Sequence, residues 1–210
     1  MSAKPAAGGG RWVDVDPDRL PRWLENFAAR HGPWAAAGLL LTAEDGATAD
    51  LSPPPGAPAV ADLDELRQTA RQPRRIGLLL ARKGAVAVGV ALGTELVVSK
   101  VDTHYVQGRT AAGGWSQQRF ARRRDNQAKA ATADGAGIAA RLLLPEVRAL
   151  SALVTGGDRT AVDAILAAPT LQPLVALRSD RFLDVPEPRR TVLEDAVAQA
   201  RAVRILVRDA

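Results

Sequence analysis

Apolar and polar positions alternate along the chain in blocks whose period changes. Leu20, Trp23, Leu24 and Phe27 recur at helical spacing behind Asp16-Pro17, an N-cap residue with a first-turn proline, and Gly32-Pro33 closes that helix. Ala36–Leu41 is an apolar run of strand length, and Asp45-Gly46 is a hairpin-type turn leading into Ala47–Leu51. A proline-rich loop over Ser52–Pro58 precedes a short helix at Asp62–Arg71, whose early acids suit the positive end of the helix dipole. Trp12, Trp23 and Trp34 are expected to pack around the N-terminal helix.

The texture changes at Arg75. Ile76–Ala81 and Val86–Leu92 are apolar throughout, as central strands require, and are joined by Lys83-Gly84. A third strand, Glu95–Gln107, follows the turn Gly93-Thr94 and alternates: Leu96, Val98, Lys100, Asp102 and His104 share one face, Val97, Val101 and Tyr105 the other. A glycine loop at 108–115 leads into a helix from Ser116 to about Leu144, weakened near Gly135 and Gly137. Beyond it the pattern predicts strand Ala149–Thr155, helix Asp158–Ala168, an extended Pro173–Leu177, helix Pro188–Ala202 and strand Val203–Arg208. A strand meander followed by alternating helices and strands predicts an α/β fold with a mixed sheet packed by helices. The division expected is a disordered tail over 1–10, a helical and hairpin extension over 11–72 packed on the core, and a main domain over 73–210.

Composition narrows the chemistry. The 210 residues include no cysteine, which removes disulfides, thiol nucleophiles and thiolate metal sites. With two histidines, His31 and His104, a histidine-built zinc site would need carboxylates to complete it, and no metal or organic cofactor is expected. Met1–Gly10 lacks the apolar stretch of a signal peptide and no window approaches ~20 apolar residues, so the expectation is a soluble cytoplasmic protein with no membrane contact. Arginine outnumbers lysine 24 to 4, a bias that a GC-rich genome produces by itself, so bulk basicity says little. Its placement says more. Residues 108–130 carry Arg109, Arg119, Arg122, Arg123, Arg124 and Lys129 against Asp125, a net +5 that equals the whole chain's.

That segment holds the candidate chemistry. Gly113-Gly114-Trp115-Ser116-Gln117-Gln118 reads either as a surface loop with solvated glutamines or as a loop whose glycines bring backbone close to a substrate. In the second reading an amide orients water, because glutamine is neutral at every pH and both donates and accepts. Arg119, Arg122 and Arg123 lie at i, i+3 and i+4 on one helix face, widened by Arg124 and Lys129. The face is either simply solvated or binds a phosphate backbone. Trp115 either stacks on a nucleobase or caps the domain. Thr155-Gly156-Gly157-Asp158 before a helix is an anion-binding turn or, more simply, a strand-to-helix connection. His104 beside Tyr105 is structural, RNA-contacting or a general base.

The run from Gly113 to Arg124 resembles the catalytic loop and following helix of archaeal and eukaryotic class-1 peptide release factors, where Gly-Gly-Gln precedes a serine and an arginine–phenylalanine–alanine–arginine stretch. The upstream context is similar to the Vms-like release factor clade of peptidyl-tRNA hydrolases: a strand pair around a glycine (Ile76–Val90), a lysine-bearing strand (Val98-Ser-Lys-Val), then His104-Tyr105-Val106-Gln107. The resemblance covers roughly residues 75–145 by motif. Trp115 stands where release factors place glutamine, and Gln117 matches the glycine–serine–glutamine arrangement of the Vms-like clade, with Gln118 a rival one residue away.

The resemblance implies a release-factor middle-domain fold with a ribonuclease H-like motif. It implies hydrolysis of the peptide–tRNA ester in ribosome rescue, on the large ribosomal subunit. Gln117 would order the water, Gly113 and Gly114 would admit the loop to a narrow RNA cleft, and the arginines with Trp115 would contact ribosomal RNA or peptidyl-tRNA. The free protein is expected to be a monomer. Two alternatives stand beside this: a tRNA-directed nuclease cutting near the acceptor 3′ end, and a non-catalytic ribosome- or RNA-binding module.

Overall fold

The computed structural model describes the backbone of residues 3–82, 84–103 and 116–210, and the side chains of these outside residue 3 and the stretch 116–128. The chain forms two compact units, Met1–Arg74 with Ala198–Ala210, and Arg75–Val197. The first begins with β1 (Ala3–Pro5), β2 (Arg11–Val15), a 3-10 turn at Pro17–Arg19, α1 (Leu20–His31), β3 (Trp34–Ala37), β4 (Leu40–Ala43), β5 (Thr48–Ser52) and α2 (Leu63–Arg71). The second holds β6 (Arg75–Arg82), β7 (Ala85–Leu92), β8 (Glu95–Thr103), α3 (Ser116–Leu143), β9 (Ala152–Gly157), α4 (Arg159–Leu166), α5 (Gln172–Val175) and β10 (Arg178–Leu183). The division falls inside α6 (Arg190–Arg201), after which β11 (Val203–Arg208) belongs to the first unit.

The first unit is a six-stranded antiparallel sheet in the order β1-β2-β11-β5-β4-β3. Val13, Val15, Leu41, Ala49, Leu51, Val203, Ile205 and Val207 turn one face inward, where α1 lays Leu20, Leu24 and Phe27 and α2 lays Leu63, Leu66 and Ala70. Both helices bury the i, i+3/i+4, i+7 stripe that periodicity requires. Asp16 opens the 3-10 turn by accepting from Asp18 N–H, and Asp62 caps α2 by accepting from Glu65 N–H.

This unit departs from the sequence expectation at both ends of the chain. Residues 1–10 were expected as a disordered tail, yet Ala3–Pro5 pair with Arg11–Val13. The last strand, expected in the main domain over 73–210, pairs with β2 on one side and β5 on the other. A three-residue edge strand has no alternation to read, and no local pattern shows a pairing across most of the chain. Trp12 also differs: it lies on the outer sheet face beneath the Arg204 guanidinium, 5.7 Å away, where Arg204 Nε donates to Asp14 at 3.0 Å. Trp23 and Trp34 do pack against the core beside α1.

The second sheet has the order β10-β9-β6-β7-β8, with β6, β9 and β10 parallel and β7 and β8 antiparallel. β6 and β7 are buried on both faces, which explains their unbroken apolar runs. Leu79, Val86, Val88, Val90 and Leu153 face Ile138, Ala139, Leu143, Val162 and Ile165 of α3 and α4. On the opposite face α6 comes so near that a Cβ on Gly89 would meet Leu193 at 3.0 Å. The α/β class with a mixed sheet is therefore what the chain adopts.

Two local expectations change. A bulge between the pairs Val90↔Val98 and Ala91↔Leu96 puts Leu96 on the face of Ser99 and Val101, away from Val98, Lys100 and Asp102. Pro173 starts a turn of helix, α5, and the strand comes next at Arg178–Leu183. That strand is an edge paired with β9 alone, so it can be polar.

His31 closes the first unit's hairpin. Its Nδ1 lies 2.8 Å from Asp45 Oδ2, and Asp45 Oδ1 accepts from Ala47 N–H at 2.9 Å. These contacts, Ala47 N–H first and His31 second, hold the Asp45 carboxyl below its ordinary value. A depressed carboxyl pKa contributes stability above the ordinary range and loses it as the pH falls through the folded value. Asp45→Asn is expected to lower the urea midpoint at neutral pH, with the gap to wild type closing as the pH drops below about 4. Denaturation series at pH 7, 4 and 2.5 check this, and a gap independent of pH would remove the carboxylate from the account.

Candidate nucleic-acid interface

The second sheet brings its chain reversals to one end. Arg82 pairs with Ala85, Ala85 with Thr103, Ala81 with Gly157, and Leu183 with Gly156, so the carboxyl ends of β6, β8, β9 and β10 lie level. Open α/β sheets place their ligands at the carboxyl ends of parallel strands. The chain leaves this end after Thr103 and is described again at Ser116, the first residue of α3.

α3 runs 28 residues without a break despite Gly135 and Gly137. Gly135 has a packing reason: a Cβ there would meet Ile165 Cδ1 at 2.9 Å and Val86 Cγ2 at 3.3 Å. From Gly135 the helix returns across the sheet through Ile138 and Ala139 to Leu143, which neighbours Gly77 near the start of β6. The nineteen residues from Ser116 to Asp134 precede that contact, about 28 Å of helix at 1.5 Å per residue. The arginine-rich segment is thus the lead-in of a helix whose other half is anchored in the core.

Of the residues singled out from sequence, Gln117, Gln118, Arg119, Arg122, Arg123 and Arg124 lie in the first turns of α3, with side chains outside the described residues. Lys129 is exposed on the same helix. Arg109, Gly113, Gly114 and Trp115, and likewise His104 and Tyr105, lie outside the described residues. The first turn of α3 contains no acid, so no side chain of that turn offsets the positive end of the helix dipole.

Three further cations lie toward this end, one of them Lys100 of the lysine-bearing strand. Arg82 and Lys100 are exposed on β6 and β8, and the Arg159 guanidinium lies 4.2 Å from the Phe182 ring centroid. Lys100 and Arg159 stand alone in sequence and Arg82 precedes Lys83, and strand pairing sets Arg82 and Lys100 in one sheet on opposite faces. Among the described residues no cluster of acids and histidines could hold a metal, and no helix is long and apolar enough to cross a membrane.

Thr155-Gly156-Gly157-Asp158 resolves as a connection. Gly157 has φ +99° and a Cβ there would lie 2.2 Å from Ala81 O, while a Cβ on Gly156 would lie 2.7 Å from Leu183 O. Asp158 Oδ1 accepts from Thr160 N–H at 2.9 Å, so a carboxylate already occupies the N-terminus of α4. Thr155 is buried, and its hydroxyl has no hydrogen-bond partner among the described residues. Replacing a stranded hydroxyl by a methyl of the same shape removes a desolvation cost. Thr155→Val is expected to stabilise the fold by about 1 kcal/mol, and Gly157→Ala to cost ~2 kcal/mol or more through backbone strain. Chemical denaturation of both variants checks the pair, and a destabilised Thr155→Val would mean that the hydroxyl is satisfied.

The family described as acVLRF1, Actinobacteria/chloroflexi VLRF1 release factor, matches residues 74–206. Among solved structures, an archaeal protein shares 16% identity with a TM-score of 0.42, over 76% of this chain and 51% of its own. The archaeal translation termination factor aRF1 shares 14% identity with a TM-score of 0.43, over 90% of this chain and 66% of its own. The chain therefore spans about half the length of the first and just under two thirds of the second. No curated protein matches.

Proposed function

The chain belongs to the Actinobacteria/chloroflexi VLRF1 release factor family, and from that premise we propose that it is a peptidyl-tRNA hydrolase of the Vms-like clade, acting in ribosome rescue on the large subunit. The observation that carries this reading is the place of Gln117 and Gln118 in the first turn of α3. The Gly113–Gln118 run ends in the first turn of a helix whose far half is fixed on β6 and β7. A rigid helix delivers its tip at a set distance from the domain, as a probe entering a narrow RNA cleft must.

In this mechanism Gln117 holds a water against the ester carbonyl carbon. The amide donates and accepts but cannot keep a proton, so the water's proton ends on the departing ribose oxygen as the acyl bond breaks. Gly113 and Gly114 remove the Cβ atoms that would keep the loop off the RNA. The arginines of α3 and the acid-free helix start neutralise phosphates of ribosomal RNA or of the tRNA acceptor stem.

Gln117→Ala is expected to slow single-turnover peptide release by ~10²-fold or more, the scale for one group organising a transition state, while ribosome binding persists. Gln118→Ala is expected to change much less. Equal release by wild type and Gln117→Ala removes Gln117 from the mechanism. Gel analysis of the tRNA from the same reaction separates ester hydrolysis, which leaves the 3′ end intact, from nuclease action, which shortens it.

The helix face has its own test. Arg119, Arg122 and Arg123 changed together to glutamine are expected to reduce the slope of log K against log salt by ~2–3 units for ribosome binding. An unchanged slope marks the cluster as a solvated face.

A further inference from the structure

The first unit carries a second basic surface, built on α1. At 100° per residue, Arg19, Arg22, Asn26 and Arg30 fall on one stripe opposite Leu20, Leu24 and His31, with Trp23 at its border with the buried face. All four stripe residues are exposed. Arg19 and Arg22 make no ion pair among the described residues, and the exposed Glu25, three residues after Arg22, flanks the stripe as its one acid on α1.

Two hollows lie along this stripe. One, of about 440 Å³, is lined by Arg19, Arg22, Trp23 and Asn26. The other, of about 190 Å³, is lined by Trp23, Asn26, Arg30 and, deeper, Phe27, His31 and Arg11. Trp23 and Asn26 border both. The indole is held flat by Phe27, with ring centroids 5.4 Å apart and planes 13° from parallel. Arg11 is paired with Asp209 and His31 Nδ1 lies 2.8 Å from Asp45, while Arg19 and Arg22 sit at the outer rim.

We propose that this face of α1 binds single-stranded RNA, with one base stacked at Trp23, its edge met by Asn26, and the flanking phosphates on Arg19, Arg22 and Arg30. The chemistry favours RNA over other anions. A pre-oriented indole between unpaired guanidinium groups is the combination that single-stranded nucleic acid uses, stacking for the base and cations for the backbone. An amide that both donates and accepts suits a base edge. An acidic protein segment would use the arginines but gain nothing from the indole plane. The inference stands on the first unit alone and does not depend on ester hydrolysis by the loop.

The test uses the full chain with Arg119, Arg122 and Arg123 changed to glutamine, so that α3 contributes less. Binding of a fluorescein-labelled, mixed-sequence 12-nucleotide single-stranded RNA is followed by anisotropy across a potassium chloride series. Adding Arg19→Gln, Arg22→Gln and Arg30→Gln is expected to lower the salt slope by a further ~2 units, three single-strand phosphates at about 0.7 each. Trp23→Leu is expected to weaken RNA binding ~5-fold or more. Because Trp23 also touches the core, Trp23→Phe and the melting temperature are measured beside it, and the exposed arginine variants test the face without touching the core. An RNA containing 4-thiouridine should crosslink within the tryptic peptide Trp23–Arg30. The proposal is overturned if the arginine variants leave the salt slope unchanged, if crosslinks fall within residues 108–130 alone, or if polyglutamate displaces the RNA from wild type and Trp23→Leu with equal ease.

Discussion

The close approach of α3 to its sheet at Gly135 is the contact on which the functional geometry depends. A side chain at that position would meet Ile165 and Val86, and either those side chains or the helix would have to give way. With glycine there, Ile138, Ala139 and Leu143 seat in the apolar face made by Leu79, Val88 and Leu153. A helix is stiff over this length, so fixing one half fixes the course of the other. The lead-in segment can then afford a composition that no core would accept, with four arginines between Arg119 and Arg124. Glycine is a poor helix former, worth roughly 1 kcal/mol against alanine. The burial that Gly135 permits offsets that loss, and the helix stays continuous where propensity alone predicts weakness.

The first unit obeys a different constraint. Its central strand, β11, comes from the end of the chain and pairs with β2 and β5 from the beginning. The Arg204–Asp14 contact joins residues 190 positions apart. Until β11 is in place, β2 and β5 face each other across an empty strand position, and Val13, Val15, Ala49 and Leu51 lack the apolar neighbours that bury them. Such non-local pairing makes closure of the sheet a late event, since the loop entropy must be met before the contacts reward it. The second unit has two local pairings, β6 with β7 and β7 with β8, beside the parallel ones of β9, and has no need of the terminus to complete its sheet.

What the sequence made legible follows from these differences. β6 and β7 were readable because burial on both faces forces unbroken apolar runs, and α1 and α2 because burial on one face forces a helical stripe. β1, β2 and β10 were not readable as strands: all are short and lie at or near an edge, and β2 and β10 take hydrogen bonds from partners distant in sequence. The bulge at Val97 defeated a strict alternation, since one extra residue moves every earlier side chain to the other face. For the candidate interface, the charge run and the glycines stood out because they are contiguous. Arg82 and Arg159 did not, because such cations acquire meaning only when the fold brings them to one end of a sheet.

Charge bookkeeping by segment also hides a surface that pairing reveals. Residues 108–130 carry the whole chain's excess, so the remainder sums to zero. A zero sum is not a neutral surface, however, because the acids are not spread evenly. Asp14 is taken up by Arg204, Asp16 by Arg201 and Asp18 by Arg71, all close to α1 in sequence or sheet position. In the second unit Glu146 pairs with Arg75, Asp163 with Arg178 and Glu194 with Arg190. Each pair removes an acid from the set available to neutralise free arginines. Exposed pairs of this kind add little to stability, about 0–1 kcal/mol each. Their larger effect is on the distribution of potential: with Asp14, Asp16 and Asp18 engaged by other arginines, Glu25 is the acid left on α1 against Arg19, Arg22 and Arg30. The field that a polyanion meets is set by which charges are already paired, and that is a property of the fold and not of the composition.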